Sequence, residues 1–113
     1  MRTQYLHSLP PHWEPIAATF AAMGDTTRQR ILLLFEPGEE LSIKAITEAL
    51  PLGRSTIVHH LAVLEKAGIL SVRRKGRLAL YAVQHGAVLA ALEKLHTFIN
   101  EELGISSAHQ RKH

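Results

Sequence analysis

The chain contains no cysteine among its 113 residues. That absence excludes disulfides, thiolate metal sites, cysteine nucleophiles and thiol redox sensing together. Aromatic residues make up 5% of the chain, so a core must be built from aliphatic side chains. No run approaches the roughly 18 apolar residues that a membrane-spanning helix needs. Residues 1–11 lack the apolar centre of a secretion signal, so the expected location is the cytoplasm. Catalytic signatures are missing as well: there is no G-x-S-x-G, no H-E-x-x-H and no glycine-rich phosphate loop. The sequence predicts no enzyme, no catalytic residue and no cofactor. What is present suits one domain over residues 1–113, with 46% hydrophobic residues, an N-terminal arm at 1–11 and a C-terminal tail at 104–113.

Charge is distributed unevenly. Residues 52–84 hold six cations (Arg54, Lys66, Arg73, Arg74, Lys75 and Arg77) against one acid, Glu65. The rest of the chain holds seven cations against nine acids. The positive charge is therefore a local patch, which on a small domain points to a polyanion such as nucleic acid.

Periodicity gives the elements. Ile16, Phe20 and Met23 lie on one face of a first helix over about 12–23. Thr26 with Gln29 has the form of a capping box, and Ile31, Leu32, Leu34 and Phe35 extend a second helix up to Pro37-Gly38. Ser42 is placed to cap a short third helix with Ile43, Ile46 and Leu50 inward, ended by Pro51. A fourth runs over 54–66 behind Gly53, buries Ile57, Leu61 and Leu64, and stops at Ala67-Gly68. The period then switches to two short strands, 69–74 and 77–83, around Lys75-Gly76. A last helix over 85–103 repeats Val88, Leu92, Leu95 and Ile99 at spacings of four, three and four. That near-heptad seam is longer than so small a body can cover, so part of it faces a partner chain. The expected fold is mainly α with a small β-hairpin: a winged helix-turn-helix with about five helices and a two-stranded wing.

In such a fold the second helix of the motif lies in the major groove with its N-terminal residues toward the base edges. Here those residues are Arg54, Ser55, Thr56 and His59, with His60 beside them. Arginine can take guanine O6 and N7 together, and serine or threonine can donate to base or phosphate. The wing tip adds Arg73, Arg74, Lys75 and Arg77 around one glycine, a charge density that suits phosphates. The partner that follows is double-stranded DNA.

The run Met23-Gly24-Asp25-Thr26-Thr27-Arg28, the run Ser55-Thr56-Ile57-Val58-His59-His60-Leu61, the run Glu65-Lys66-Ala67-Gly68 and then Gly76-Arg77 and Tyr81 resemble the ArsR/SmtB family of bacterial transcriptional repressors. The resemblance covers residues 20–83. It implies a homodimer joined through the first and last helices, which puts Ile16 and Phe20 with Val88, Leu92, Leu95 and Ile99 at the interface. It implies an operator that is an inverted repeat, and release from DNA by an inducer. Two positions depart from the family pattern: Thr26 stands where proline is usual, and Val58 where serine usually faces DNA. Base reading then falls on Arg54, Ser55, Thr56 and His59.

The same resemblance locates the family's metal sites. Its cysteine pair at the third helix corresponds to Ser42 and Lys44, and its last-helix site to His85, Ala87, Phe98 and Glu101. Too few of these can ligate, so no metal and an unidentified, non-cysteine inducer are expected. One alternative is a nickel, cobalt or zinc sensor that gathers His85, His96 and Glu101 with the tail histidines His109 and His113. Another is a winged-helix protein-interaction module, which would tend to lose the charge that this chain keeps at the wing.

Overall fold

The computed structural model describes residues 1–103. A single 3-10 turn at Pro11–Trp13 leads into α1 (Glu14–Met23), followed by α2 (Thr26–Leu32), β1 (Glu40–Ser42), α3 (Ile43–Ala49), α4 (Arg54–Lys66), β2 (Leu70–Lys75), β3 (Leu78–Val83) and α5 (His85–Phe98). One π-helical turn, Ile99–Leu103, prolongs α5. The core is aliphatic: Ile31, Ile46, Ile57, Leu61, Leu64 and Ile69 are fully buried, with Ala22, Leu50 and Leu70 in the same cluster. Each isoleucine or leucine among them contributes about 1.5–3 kcal/mol through loss of contact with water. Because α2, α3, α4 and the start of β2 share this one cluster, the exposed face of α4 is held on a rigid base.

Both ends of α2 differ from the sequence reading. The capping residue of α2 is Asp25, whose Oδ1 accepts from the Arg28 amide at 2.9 Å, one position before the expected box. That amide, together with neighbouring positive charge, holds the Asp25 carboxyl below its ordinary range. Gln29 instead donates from its side chain to the Met23 carbonyl at 2.6 Å, closing the end of α1. Helix α2 stops at Leu32: Leu34 and Phe35 bond back only three residues, to Ile31 and Leu32, so the last turn tightens. Leu34 and Phe35 still pack on the core from this loop, while Leu33 is thrown out to 84% exposure.

The sheet has three strands, in the order β1-β3-β2, where two were expected. Glu40–Ser42 is too short to show an alternating pattern and becomes a strand only through pairing with Leu80, Tyr81 and Ala82. The hairpin turn is Gly76-Arg77, one residue later than expected, closed by the Lys75–Leu78 pair. Gly76 has φ +62, and no other residue type in the described chain has positive φ. Glycine at the first central position, with an ordinary residue second, fits the twist of a two-residue hairpin. At the end of α4, Gly68 (φ +77) lets the Ile69 amide reach back to the Leu64 carbonyl at 3.0 Å and turns the chain into the wing.

Candidate nucleic-acid interface

The helix-turn-helix is α3, the turn 50–53, and α4. Ser42 Oγ accepts from the Ala45 amide at 3.1 Å and so starts α3 as soon as β1 ends. Gly53 caps α4 by backbone alone, with no side-chain oxygen on the free amides. No acid lies in the first turn of α4. Its positive end is thus left unneutralised, at a place where Arg54, Ser55 and Thr56 are all exposed. Along the outer face Ser55, Val58, His59 and Ala62 follow at three and four residues, opposite buried Ile57, Leu61 and Leu64. Val58 is 40% exposed. The sequence reading treated it as a lost contact, yet its side chain sits in the middle of the stripe that would enter the groove.

His60 differs from its neighbours. It is half-buried, and its Nδ1 lies 3.2 Å from a guanidinium nitrogen of Arg28. The same guanidinium donates to the carbonyls of Ala22 at 2.8 Å and Ala21 at 3.2 Å. Arg28 therefore ties the C-terminus of α1 to the middle of α4. His60 belongs to this tie and not to the outward, base-reading face. Arg28 went unnoticed as a positioning residue, because its partners are 6, 7 and 32 residues away and no local pattern reveals them.

The wing also changes character. Strand β1 brings Glu40 beside Arg73, which donates from Nε to Oε2 at 2.5 Å and from Nη2 to Oε1 at 2.7 Å. The paired guanidinium holds the Glu40 carboxyl below its ordinary range, and Glu40 in turn raises Arg73. The acid that seemed missing from the wing is thus supplied by a strand the periodicity did not show. Arg74, Lys75 and Arg77 are exposed, with no side-chain ion pair among the described residues. Alternation places Arg74 on the sheet face that carries Leu70, Val72 and Tyr81, the face turned toward the core. Burial pushes the Tyr81 hydroxyl up, nearby Glu65 of α4 adds to this, and Arg74 opposes it. Tyr81, on β3, is thus within electrostatic reach of both Arg74 of β2 and Glu65 of α4.

The residues expected at a dimer interface separate into three groups. Ile16 is 2% exposed and Val88 packs on the core cluster, so both are internal supports of this chain. Phe20, Leu95 and Ile99 are half-buried. Leu92 is 49% exposed, and the sequence reading missed two further exposed leucines, Leu89 at 63% and Leu33 at 84%.

Residues 23–73 match a family described as a helix-turn-helix domain. The transcriptional repressor SdpR of Bacillus subtilis is 30% identical over 82 residues, which are 73% of this chain and 90% of that protein. The arsenic resistance transcriptional regulator ArsR1 of Pseudomonas putida is 44% identical over 62 residues, 55% of this chain and 48% of that protein. This chain belongs to the ArsR/SmtB family. Its fold agrees: an ArsR-like transcriptional regulator from Rhodococcus sp. RHA1 superposes with a TM-score of 0.76, covering 90% of this chain and 95% of that one at 24% identity. As an ArsR/SmtB protein it is a DNA-binding transcriptional regulator and not an enzyme. No helix among the described residues is long and apolar enough to cross a membrane.

The family's metal positions can now be placed. His85 opens α5, and Phe98, at a ligand position, meets Trp13 edge to face with ring centroids 4.5 Å apart. His85 and His96 are separated by eleven residues of helix, about 16 Å along the axis, so one chain cannot chelate one ion with both. His96 Nδ1 faces the Asn100 amide at 3.3 Å. Among the described residues no three His, Asp or Glu side chains are grouped to hold a metal. His109 and His113 lie outside the described residues.

Proposed function

We propose that this ArsR/SmtB regulator is a homodimeric, sequence-specific repressor that binds an inverted-repeat operator. The exposed N-terminal turn of α4 carries the reading: it presents Arg54, Ser55 and Thr56 with no acid to neutralise the helix end. Arg54 takes a base edge, guanine fitting best, and Ser55, Thr56 and His59 complete the contact. Arg74, Lys75 and Arg77 hold the flanking phosphates. Two such helices, related by a twofold axis, would meet half-sites one helical turn apart, about 34–36 Å. The repressor sense is supported by the likeness to SdpR. A non-metal effector is favoured by Ser42, Lys44, Ala87 and Phe98 at the metal positions.

A footprint on the protein's own promoter, followed by anisotropy titration of the protected sequence, tests this reading. A protected inverted repeat is the expected result, and protection of a single asymmetric half-site would overturn the dimeric reading. Arg54→Ala should cost about 1–3 kcal/mol on the cognate sequence and little on random DNA. Equal loss on both would mean that Arg54 contacts phosphate and that the bases are read elsewhere.

A further inference from the structure

Beyond the DNA-binding face, α1 and α5 enclose a groove of about 530 Å³, within the size range of small-molecule sites. Its walls include Trp13, Phe98, Glu93, Lys94, Thr97 and Glu101, over a floor of Ile16 and Ala90. The aromatic content is out of proportion to the chain. Of six aromatic residues in all, Trp13 and Phe98 stand here in edge-to-face contact, and Tyr5 lines the adjoining cavity that shares both rings. The core does not need them, since its buried cluster is entirely aliphatic.

The charges point the same way. Glu93 and Glu101 are exposed, and no hydrogen bond or ion pair engages either among the described residues. Two carboxylates against the single ammonium of Lys94 leave these side chains with an excess of negative charge. Aromatic and aliphatic walls take an apolar body, and carboxylates at the rim supply a partner for a cationic head. The groove also stays clear of the leucine seam. At about 100° per residue, Ala90, Glu93, Lys94 and Thr97 centre roughly 120° around α5 from its exposed leucines, Leu89 and Leu92.

We propose that this groove binds a small organic cation with an apolar body, such as an aryl- or alkylammonium compound. The apolar body lies against Trp13, Phe98 and Ile16, and the ammonium group faces Glu93 and Glu101. Taking such a cation as the effector rests on the repressor reading above; binding itself does not.

Trp13 is the only tryptophan in the chain, so its emission reports the groove alone. Titration of the full chain with benzyltrimethylammonium should change that emission saturably in the micromolar to millimolar range. Phenylacetate, of similar size and opposite charge, should give no saturable change. Replacing both carboxylates, Glu93→Gln with Glu101→Gln, should weaken the ammonium response about tenfold while circular dichroism stays that of the parent. An equal response to phenylacetate, an unchanged affinity in the double variant, or no saturation at all would overturn the proposal. Operator binding on the same preparation is an independent readout. If it fails, the repressor reading falls and the ammonium titration still stands.

Discussion

On the proposed reading, Val58 is the side chain that alters what α4 can read. It is 40% exposed between Ser55 and His59, and it offers methyl groups where a hydroxyl would offer a hydrogen bond. Apolar side chains in the major groove meet the thymine 5-methyl. Replacing each operator thymine in turn by uracil should therefore find one position per half-site that costs about 1 kcal/mol in the parent and nothing in Val58→Ala. Glu40 shifts charge in the same way. Its bidentate hold on Arg73 occupies a guanidinium that would otherwise face phosphate. Glu40→Gln should tighten binding to random DNA and steepen its salt dependence by about one unit of log slope, the share of one phosphate contact. Weaker binding in that variant would mean the pair serves to aim the wing. Because the Glu40 carboxyl is held below its ordinary range, the pair is complete at neutral pH. It is lost only as pH falls through that lowered value, so the parent should approach Glu40→Gln only in acid.

At the scale of elements, the legible parts were those whose cause is local. The bounds of α4 and the capping role of Ser42 follow from a glycine, a serine and a three-four spacing within a few residues of each other. Ser42 also has a double duty that only the structure reveals, since it ends β1 and pairs with Leu80 while it caps α3. Ser42→Ala should lower stability by about 1 kcal/mol through the lost cap, read as a shift in the urea midpoint with an unchanged slope. The illegible parts were made by distant residues. A three-residue strand exists only because β3 offers it an edge, and it carries the acid that neutralises Arg73. The Arg28 tie to His60 spans 32 residues and moves one histidine from the reading face to the support of α4. For the site, the exposed N-terminus of the recognition helix was visible in the sequence, and the division of the wing into paired and free cations was not.

At the scale of the whole molecule, the chain is elongated. Its Cα radius of gyration is 17.8 Å, with extents of 55 × 35 × 25 Å, whereas a compact domain of this length has a radius near 13 Å. Helix α5 packs mainly on α1, and only Ala91 is fully buried along its length. The seam splits accordingly. Val88 turns inward, and Leu92 with Leu89 and Leu33 is left in water. Exposed leucines such as these are the side chains that an interaction surface would bury. A second copy is the occupant implied by the family. If so, Leu92→Glu places a carboxylate where the dimer would be dry, at a cost of several kcal/mol to association. The isolated fold should tolerate it, because Leu92 is already 49% exposed within one chain. The variant should sediment as a monomer at micromolar concentration, keep the parent's far-ultraviolet dichroism, and lose the inverted-repeat operator. It should retain the weak, salt-sensitive binding to random DNA that one recognition helix and one wing provide. Val88→Glu serves as the contrast, since a charge on that inward side attacks the core and should unfold the chain before it separates two copies. A Leu92→Glu protein that remained dimeric and bound the operator as tightly as the parent would move the interface away from this face of α5.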